Sequence, residues 1–190
     1  MKIILIGFMG SGKSSVAKRL GHLLKLPILE MDELVFQKTN TKNMHAVFAK
    51  GGELLLRETE IAIAQEYAST DNIVISTGAG VVLNKIILDY LKLKNSDVKI
   101  FFLNTTFQTI AVRLADDALR PLFKNIDEAE SLYHFRQPLY LKYADQVVEV
   151  DKKSIEEIAQ EIAENSLPER QSSGLRNRHN TVLSANNLII

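Results

Sequence analysis

Near the amino end, Gly7-Phe8-Met9-Gly10-Ser11-Gly12-Lys13-Ser14 fits the pattern Gly-x4-Gly-Lys-Ser/Thr, directly after an apolar run and directly before a helical one. Glycines let a backbone curl until successive N–H groups converge on phosphate oxygens. A helix starting there adds the positive end of its dipole. The predicted chemistry is nucleotide binding, with Gly10, Ser11, Gly12, Lys13, Ser14 and Ser15 around the phosphates of ATP. Lys13 would reach the β- and γ-phosphates, and the Ser14 hydroxyl would ligate Mg2+. The bland alternative is a glycine-rich turn capping a helix; with glycine at about 7% of residues, a chance match in a chain this size arises on the order of once in a hundred. Lys13, Lys18 and Arg19 also crowd positive charge near a helix start, which is unfavourable unless an anion sits there.

Other charged residues gather at predicted element ends. Leu29-Glu30-Met31-Asp32 closes the second strand with two carboxylates, soon after the phosphate-binding loop. Glu53, Arg57 and Glu60 share one helical face at i, i+4 and i+7, a spacing that by itself reads as a solvated ion-pair face. Gly78-Ala79-Gly80 follows another strand end, where N–H groups either face a ligand or simply make a turn. Arg120 precedes Pro121 and is therefore expected to be extended, in a loop. GTPases need Asp-x-x-Gly and Asn-Lys-x-Asp, and neither occurs in the chain.

An alternation of strands and helices has to position these residues. Lys2–Ile6, Pro27–Met31, Asn72–Ser76, Val98–Leu103 and Gln146–Val150 read as strands. Helices are expected over Lys13–Lys25, 52–68, 83–93, 106–115, 127–142 and 154–165, the last opened by a Ser154–Glu157 capping box. The pattern predicts an α/β fold of three layers, α/β/α, around a five-stranded parallel sheet. Ligands in such sheets collect beyond the carboxyl ends of the strands. The folded unit is expected over 1–165; from Ser166 the chain turns polar and aperiodic, and 166–190 reads as a flexible tail.

Composition narrows the partners. With 23 basic and 23 acidic residues the formal charge is zero, which recommends neither nucleic acid nor a membrane surface. No cysteine is present, so disulfide and thiolate chemistry are excluded, and a reducing cytoplasm fits. The four histidines are scattered without metal-ligand spacing. No stretch approaches the roughly 18–20 apolar residues that cross a bilayer.

Taken in order, these motifs resemble the shikimate kinase family. Its pattern runs from a P-loop through Asp-x-Asp, Gly-Glu-x-x-Phe-Arg-x-x-Glu and Gly-Gly-Gly to Arg-Pro-Leu in a lid and Arg-x-Pro-Leu-Tyr. This chain offers Glu30-Met31-Asp32, then Gly52-Glu53 through Arg57 to Glu60, Gly78-Ala79-Gly80, Arg120-Pro121-Leu122 and Arg136-Gln137-Pro138-Leu139-Tyr140. Order and spacing agree along about residues 3–151. Three positions depart: Glu30 for the first Asp, Ala79 for the middle glycine, and Leu56 for the Phe before Arg57.

The resemblance implies transfer of the ATP γ-phosphate to the shikimate 3-hydroxyl, with Mg2+, by a cytoplasmic monomer on the route to aromatic amino acids. Asp32 would hold acceptor hydroxyls and take the proton, a role compatible with a helix N-cap. Arg57 and Arg136 would clamp the substrate carboxylate, with Glu60 orienting Arg57. Gly78, Ala79 and Gly80 would line the substrate site, and Ser14 with Glu30 would hold the metal. Arg120, in a mobile lid at about 114–125, would bring charge to the transferring phosphate. Arg113 stands on the adenine side or is an ordinary helix-surface arginine. The departures keep two other readings open: a kinase for another hydroxy acid such as gluconate, and a nucleotide-binding regulatory protein without catalysis.

Overall fold

The computed structural model of the chain describes residues 1–93, 97–115 and 125–167. Five parallel strands form one sheet in the order β2-β3-β1-β4-β5: β1 Lys2–Ile6, β2 Ile28–Glu30, β3 Ile73–Ser76, β4 Val98–Asn104 and β5 Gln146–Glu149. The α/β architecture and its parallel sheet agree with the alternation read from sequence. Side chains on a strand alternate between faces, and β1 shows why both faces must be covered. Ile4 and Ile6 pack into one apolar layer with Leu29, Leu56 and Ile63, whereas Ile3 and Leu5 join Val16, Leu20, Ile158 and Ile162 in the other. Each such side chain withdrawn from water stabilises the fold by roughly 1.5–3 kcal/mol.

Seven helices flank the sheet among the described residues: α1 Lys13–Leu24, α2 Met31–Thr39, α3 Met44–Glu66, α4 Lys85–Lys92, α5 Phe107–Leu114, α6 Ile126–Tyr143 and α7 Ile155–Ser166. α7 opens with the expected capping box between Ser154 and Glu157. Lys2 is fully buried in the central strand, and its ammonium donates to the carbonyls of Tyr67, Ala68 and Leu91 at 3.0, 3.0 and 3.1 Å. It thereby fastens the carboxyl ends of α3 and α4 to β1.

The structure corrects the sequence reading between residues 31 and 52. Helix α2 was not expected, because its buried stripe is only Met31, Val35 and Thr39, one residue per turn amid polar neighbours. Helix α3 starts at Met44 rather than 52, capped by the Asn43 side chain. Gly51 and Gly52 are a bend inside it, where Gly52 takes φ 67°, a conformation other residues avoid. The helix expected from 83 splits into a 3-10 turn, Val81–Leu83, and α4. The expected lid at 114–125 and tail at 166–190 lie, apart from their edges, outside the described residues.

Candidate active site

The strand order places the carboxyl ends of β1, β3 and β2 side by side, and the phosphate-binding loop leaves β1 at that edge. Gly10 and Gly12 take φ 76° and 93°, the left-handed region that other residues rarely enter. The chain therefore turns through the loop and enters α1 with Gly12 as its N-cap, and no acidic residue sits in the first turn to neutralise the dipole. Lys13 is buried, its ammonium donating to the carbonyls of Gly7 and Phe8 at 2.8 and 3.0 Å. The loop's own backbone thus orients it. Arg113 on α5 donates to the Gly10 carbonyl at 3.1 Å, which brings this helix arginine to the loop.

The acceptor side is assembled from side chains. Glu30 occupies the N-cap position of α2 and Asp32 lies in the first helical turn, so the bland alternative of Asp32 as an N-cap does not hold. The Ser14 hydroxyl donates to Glu30 Oε2 at 3.0 Å. Burial pushes the Glu30 carboxyl up, and the hydroxyls of Ser76 and Ser14 act the other way. Mg2+ takes one or two carboxylates and completes its shell with water and phosphate oxygens. A hydroxyl touching one carboxylate beside the phosphate loop suits that ion, and among the described residues no denser cluster of three His, Asp or Glu exists.

Arg57 shows that the charged face of α3 is not a solvated one. Its guanidinium bonds Glu60 at 2.6 Å and Glu53 at 3.0 Å, while Glu60 itself is 1% exposed. Burial raises the Glu60 carboxyl against the pull of Arg57. Burial works against the Arg57 charge as well, but Glu60 and Glu53 prevail and hold it above its ordinary value. Arg136 reaches the site because it belongs to the buried stripe of α6, with Ala129, Tyr133 and Tyr140. Its guanidinium lies 5.8 Å from the Phe8 ring centre, and its buried Nε has no hydrogen-bond partner among the described residues. Burial lowers the Arg136 pKa, and the nearby Arg57 charge lowers it further. Two neighbouring cations, one with a buried unused donor, have the chemistry to take an anion.

The turn at 78–80 stands between these groups. A Cβ at Gly78 would lie 2.8 Å from Glu60 Oε1 and 2.9 Å from Asp32 Oδ1. One at Gly80 would lie 2.5 Å from Arg57 Nη2. Ala79, the departure between them, is not in the left-handed region, so its methyl brings no backbone strain. No hydrogen bond among the described residues uses the N–H groups of Gly78, Ala79 or Gly80. Buried or half-buried N–H groups require partners, and here a ligand can supply them.

A cavity of about 450 Å3 joins the two sides, lined among others by Gly12, Lys13, Ser14, Asp32, Ala79 and Arg113. Gly10, Ser11 and Ser15 line it too, whereas Arg57, Arg136, Gly78 and Gly80 are not among its lining residues; Gly78 lies against the lining residue Asp32, and Gly80 against Arg57. Arg120 lies outside the described residues. The sequence reading missed the wall formed by Val150, Lys153 and Ile158, and its signal was weak: an ordinary capped helix following β5. Phe8 and Tyr140 were also unassigned, although both fall inside quoted motifs.

The model of the shikimate kinase family matches residues 9–166. The chain belongs to the shikimate kinase family. A shikimate kinase from Aquifex aeolicus is 36% identical over 163 residues, covering 85% of this chain and 94% of that protein. The solved structure of the Acinetobacter baumannii shikimate kinase in complex with shikimate superposes with a TM-score of 0.77 at 28% identity, covering 85% of this chain and 89% of that one. The Aquifex aeolicus shikimate kinase structure gives 0.73 at 35% identity, with 85% and 94% covered. A Sinorhizobium meliloti gluconokinase, at 16% identity and a TM-score of 0.56, shares the fold alone. Shikimate kinases are phosphotransferases that use ATP with Mg2+, and as a member this chain is one of them.

Proposed function

We propose that this chain phosphorylates the 3-hydroxyl of shikimate from ATP, and that the residues around its cavity divide the work between a phosphate side and an acceptor side. The observation that carries the reading is the single cavity lined by both Lys13 and Asp32, with the neighbouring guanidinium groups of Arg57 and Arg136 available to an acidic acceptor. Shikimate is a carboxylate with several hydroxyls, so it needs a cationic clamp at one end and a carboxylate acceptor at the other. In no other place among the described residues do these two stand beside a phosphate-binding loop.

Phosphoryl transfer leaves a protein mainly with positioning and charge neutralisation. Gly10 to Ser15 grip the phosphates through backbone N–H groups, and Lys13 neutralises charge at the β- and γ-oxygens. Ser14 and Glu30 would hold Mg2+, which when bound offsets phosphate charge. Arg57, Arg136 and the Gly80 N–H anchor the substrate carboxylate, which fixes the hydroxyl near Asp32. Asp32 takes the hydroxyl proton as that oxygen bonds to the γ-phosphorus and the bond to the β–γ bridging oxygen breaks. Glu60 keeps Arg57 in place, and Arg113 serves the nucleotide end of the cavity.

The reading takes a monomer as the working unit, and a cytoplasmic location fits an ATP-dependent step toward aromatic amino acids. Helix α7 ends at Ser166, in keeping with a folded unit over about 1–165. Coupled ADP release with ATP and Mg2+, with and without shikimate, tests the reading. Turnover that depends on shikimate and is not matched by gluconate is expected. ATP binding without turnover of shikimate would overturn it.

A further inference from the structure

One buried side chain in the acceptor wall has no part in the reaction just described. Tyr140 is fully buried on α6, one turn beyond Arg136, with its ring stacked on Phe102 at 5.0 Å and an interplanar angle of 17°. A phenol in an apolar layer needs a partner for its O–H, and this one donates to the Ala79 carbonyl at 2.6 Å. The Arg136 guanidinium interacts with the same hydroxyl oxygen. Burial pushes the phenol far above its ordinary value, so it stays a donor throughout the working pH range.

The consequence lies on the other side of the peptide. A trans peptide is planar, so its C=O and the next N–H point in opposite directions. No peptide bond described here is cis. With the Ala79 carbonyl drawn toward Tyr140, the Gly80 N–H is directed away from it, on a residue whose Cβ position meets Arg57 Nη2 at 2.5 Å. A flip of this peptide would replace that donor with a carbonyl oxygen, which repels a carboxylate.

We propose that Tyr140 is a positioning residue for substrate: one hydroxyl fixes the Ala79–Gly80 peptide and steadies Arg136, so that a backbone N–H and two guanidinium groups converge on one carboxylate. Tyr140 touches neither substrate nor nucleotide; it acts through Gly80 and Arg136. The inference rests on shikimate being the acceptor, as proposed above.

Tyr140→Phe removes the hydroxyl and keeps the stack on Phe102. In titration calorimetry, shikimate binding is expected to weaken roughly tenfold, from the loss of one buried hydrogen bond and the freed peptide, while ATP binding stays within about twofold. In steady state, KM for shikimate should rise by the same factor with kcat held, as for an interaction made equally in ground and transition states. Equal weakening of both ligands, or unchanged shikimate binding, would overturn the proposal. A second measurement needs no variant: in the wild type, hydrogen exchange at the Gly80 amide should slow when shikimate is added, and an unchanged rate counts against the orientation. Wild-type protein that binds no shikimate would remove the reading beneath the inference and the inference with it. Wild-type binding with an indifferent Tyr140→Phe removes only the inference.

Discussion

Around Gly10–Ser14 the groups that meet a phosphate come from one unbroken run of backbone, oriented by φ values that glycine supplies and by the start of α1. The proposed acceptor side draws Asp32, Arg57, Gly80 and Arg136 from four separate segments and relies on side-chain charge. The first kind of site is contiguous in sequence, although α5 packs against it through Arg113 and Leu114. The second exists only once α2, α3, α6 and the turn after β3 have packed. Damage on the phosphate side should therefore abolish transfer whatever the acceptor, and damage on the other side should be selective for the acceptor.

The largest effect is expected at Lys13. Replacing it with Met should cut kcat/KM by about a thousandfold or more, because a charge aimed at the transition state is lost, while shikimate binding in calorimetry stays intact. Loss of shikimate binding in that variant would show that the two sides are not separable. Asp32→Asn is next: the acceptor proton loses its base, and kcat should fall on the order of a hundredfold or more with a small change in KM. Steady-state kinetics decides, and a pure KM effect would make Asp32 a binding group only.

Arg57→Ala sharpens the contrast from the acceptor side. It removes charge-assisted bonds of about 1.5–3 kcal/mol each, so KM for shikimate should rise between tenfold and a hundredfold with KM for ATP unchanged. Gly78→Ala tests the crowded turn. Its Cβ would come within 3 Å of both Glu60 and Asp32, and a loss of activity of roughly tenfold is expected from displacing the acceptor carboxylate. Near-normal activity would mean that those carboxylates move freely.

The smallest effect concerns stability. Glu60 has a folded pKa raised above its ordinary 4.5, chiefly by burial. Its contribution to stability is therefore fully present below that value and declines as pH rises through the raised one. Glu60→Gln cannot titrate, so its melting temperature should gain on the wild type as pH rises from about 4.5. A gap constant with pH would assign the Glu60 pairing no electrostatic cost.

The same contrast explains what could be read before any coordinates. The phosphate loop was legible because its chemistry is contiguous and its glycine spacing is strict. The strands were legible because burial on both faces demands unbroken apolar runs such as Ile3–Ile6. Arg57 and Glu60 looked like an ordinary ion-pair face, since spacing on a helix cannot show that Glu60 is buried beneath the turn at 78–80. Helix α2 was invisible for a related reason: its partner is α3, and a narrow stripe becomes meaningful only against that partner. Tyr140 lay inside a quoted motif, but its role depends on a carbonyl 61 residues away.

The placement of β1 bears on how the chain comes off the ribosome. The first strand made is the middle of the sheet, yet its neighbours β3 and β4 begin to align only at Ile73 and Val98. The carbonyl partners of the Lys2 ammonium are almost as distant, closing loops of 65, 66 and 89 residues. Until β3 has been synthesised both edges of this apolar segment stay unpaired, and one edge stays so until β4; pairing so distant is slow. The sheet is therefore expected to form once β3 and β4 are available rather than stepwise from the amino end.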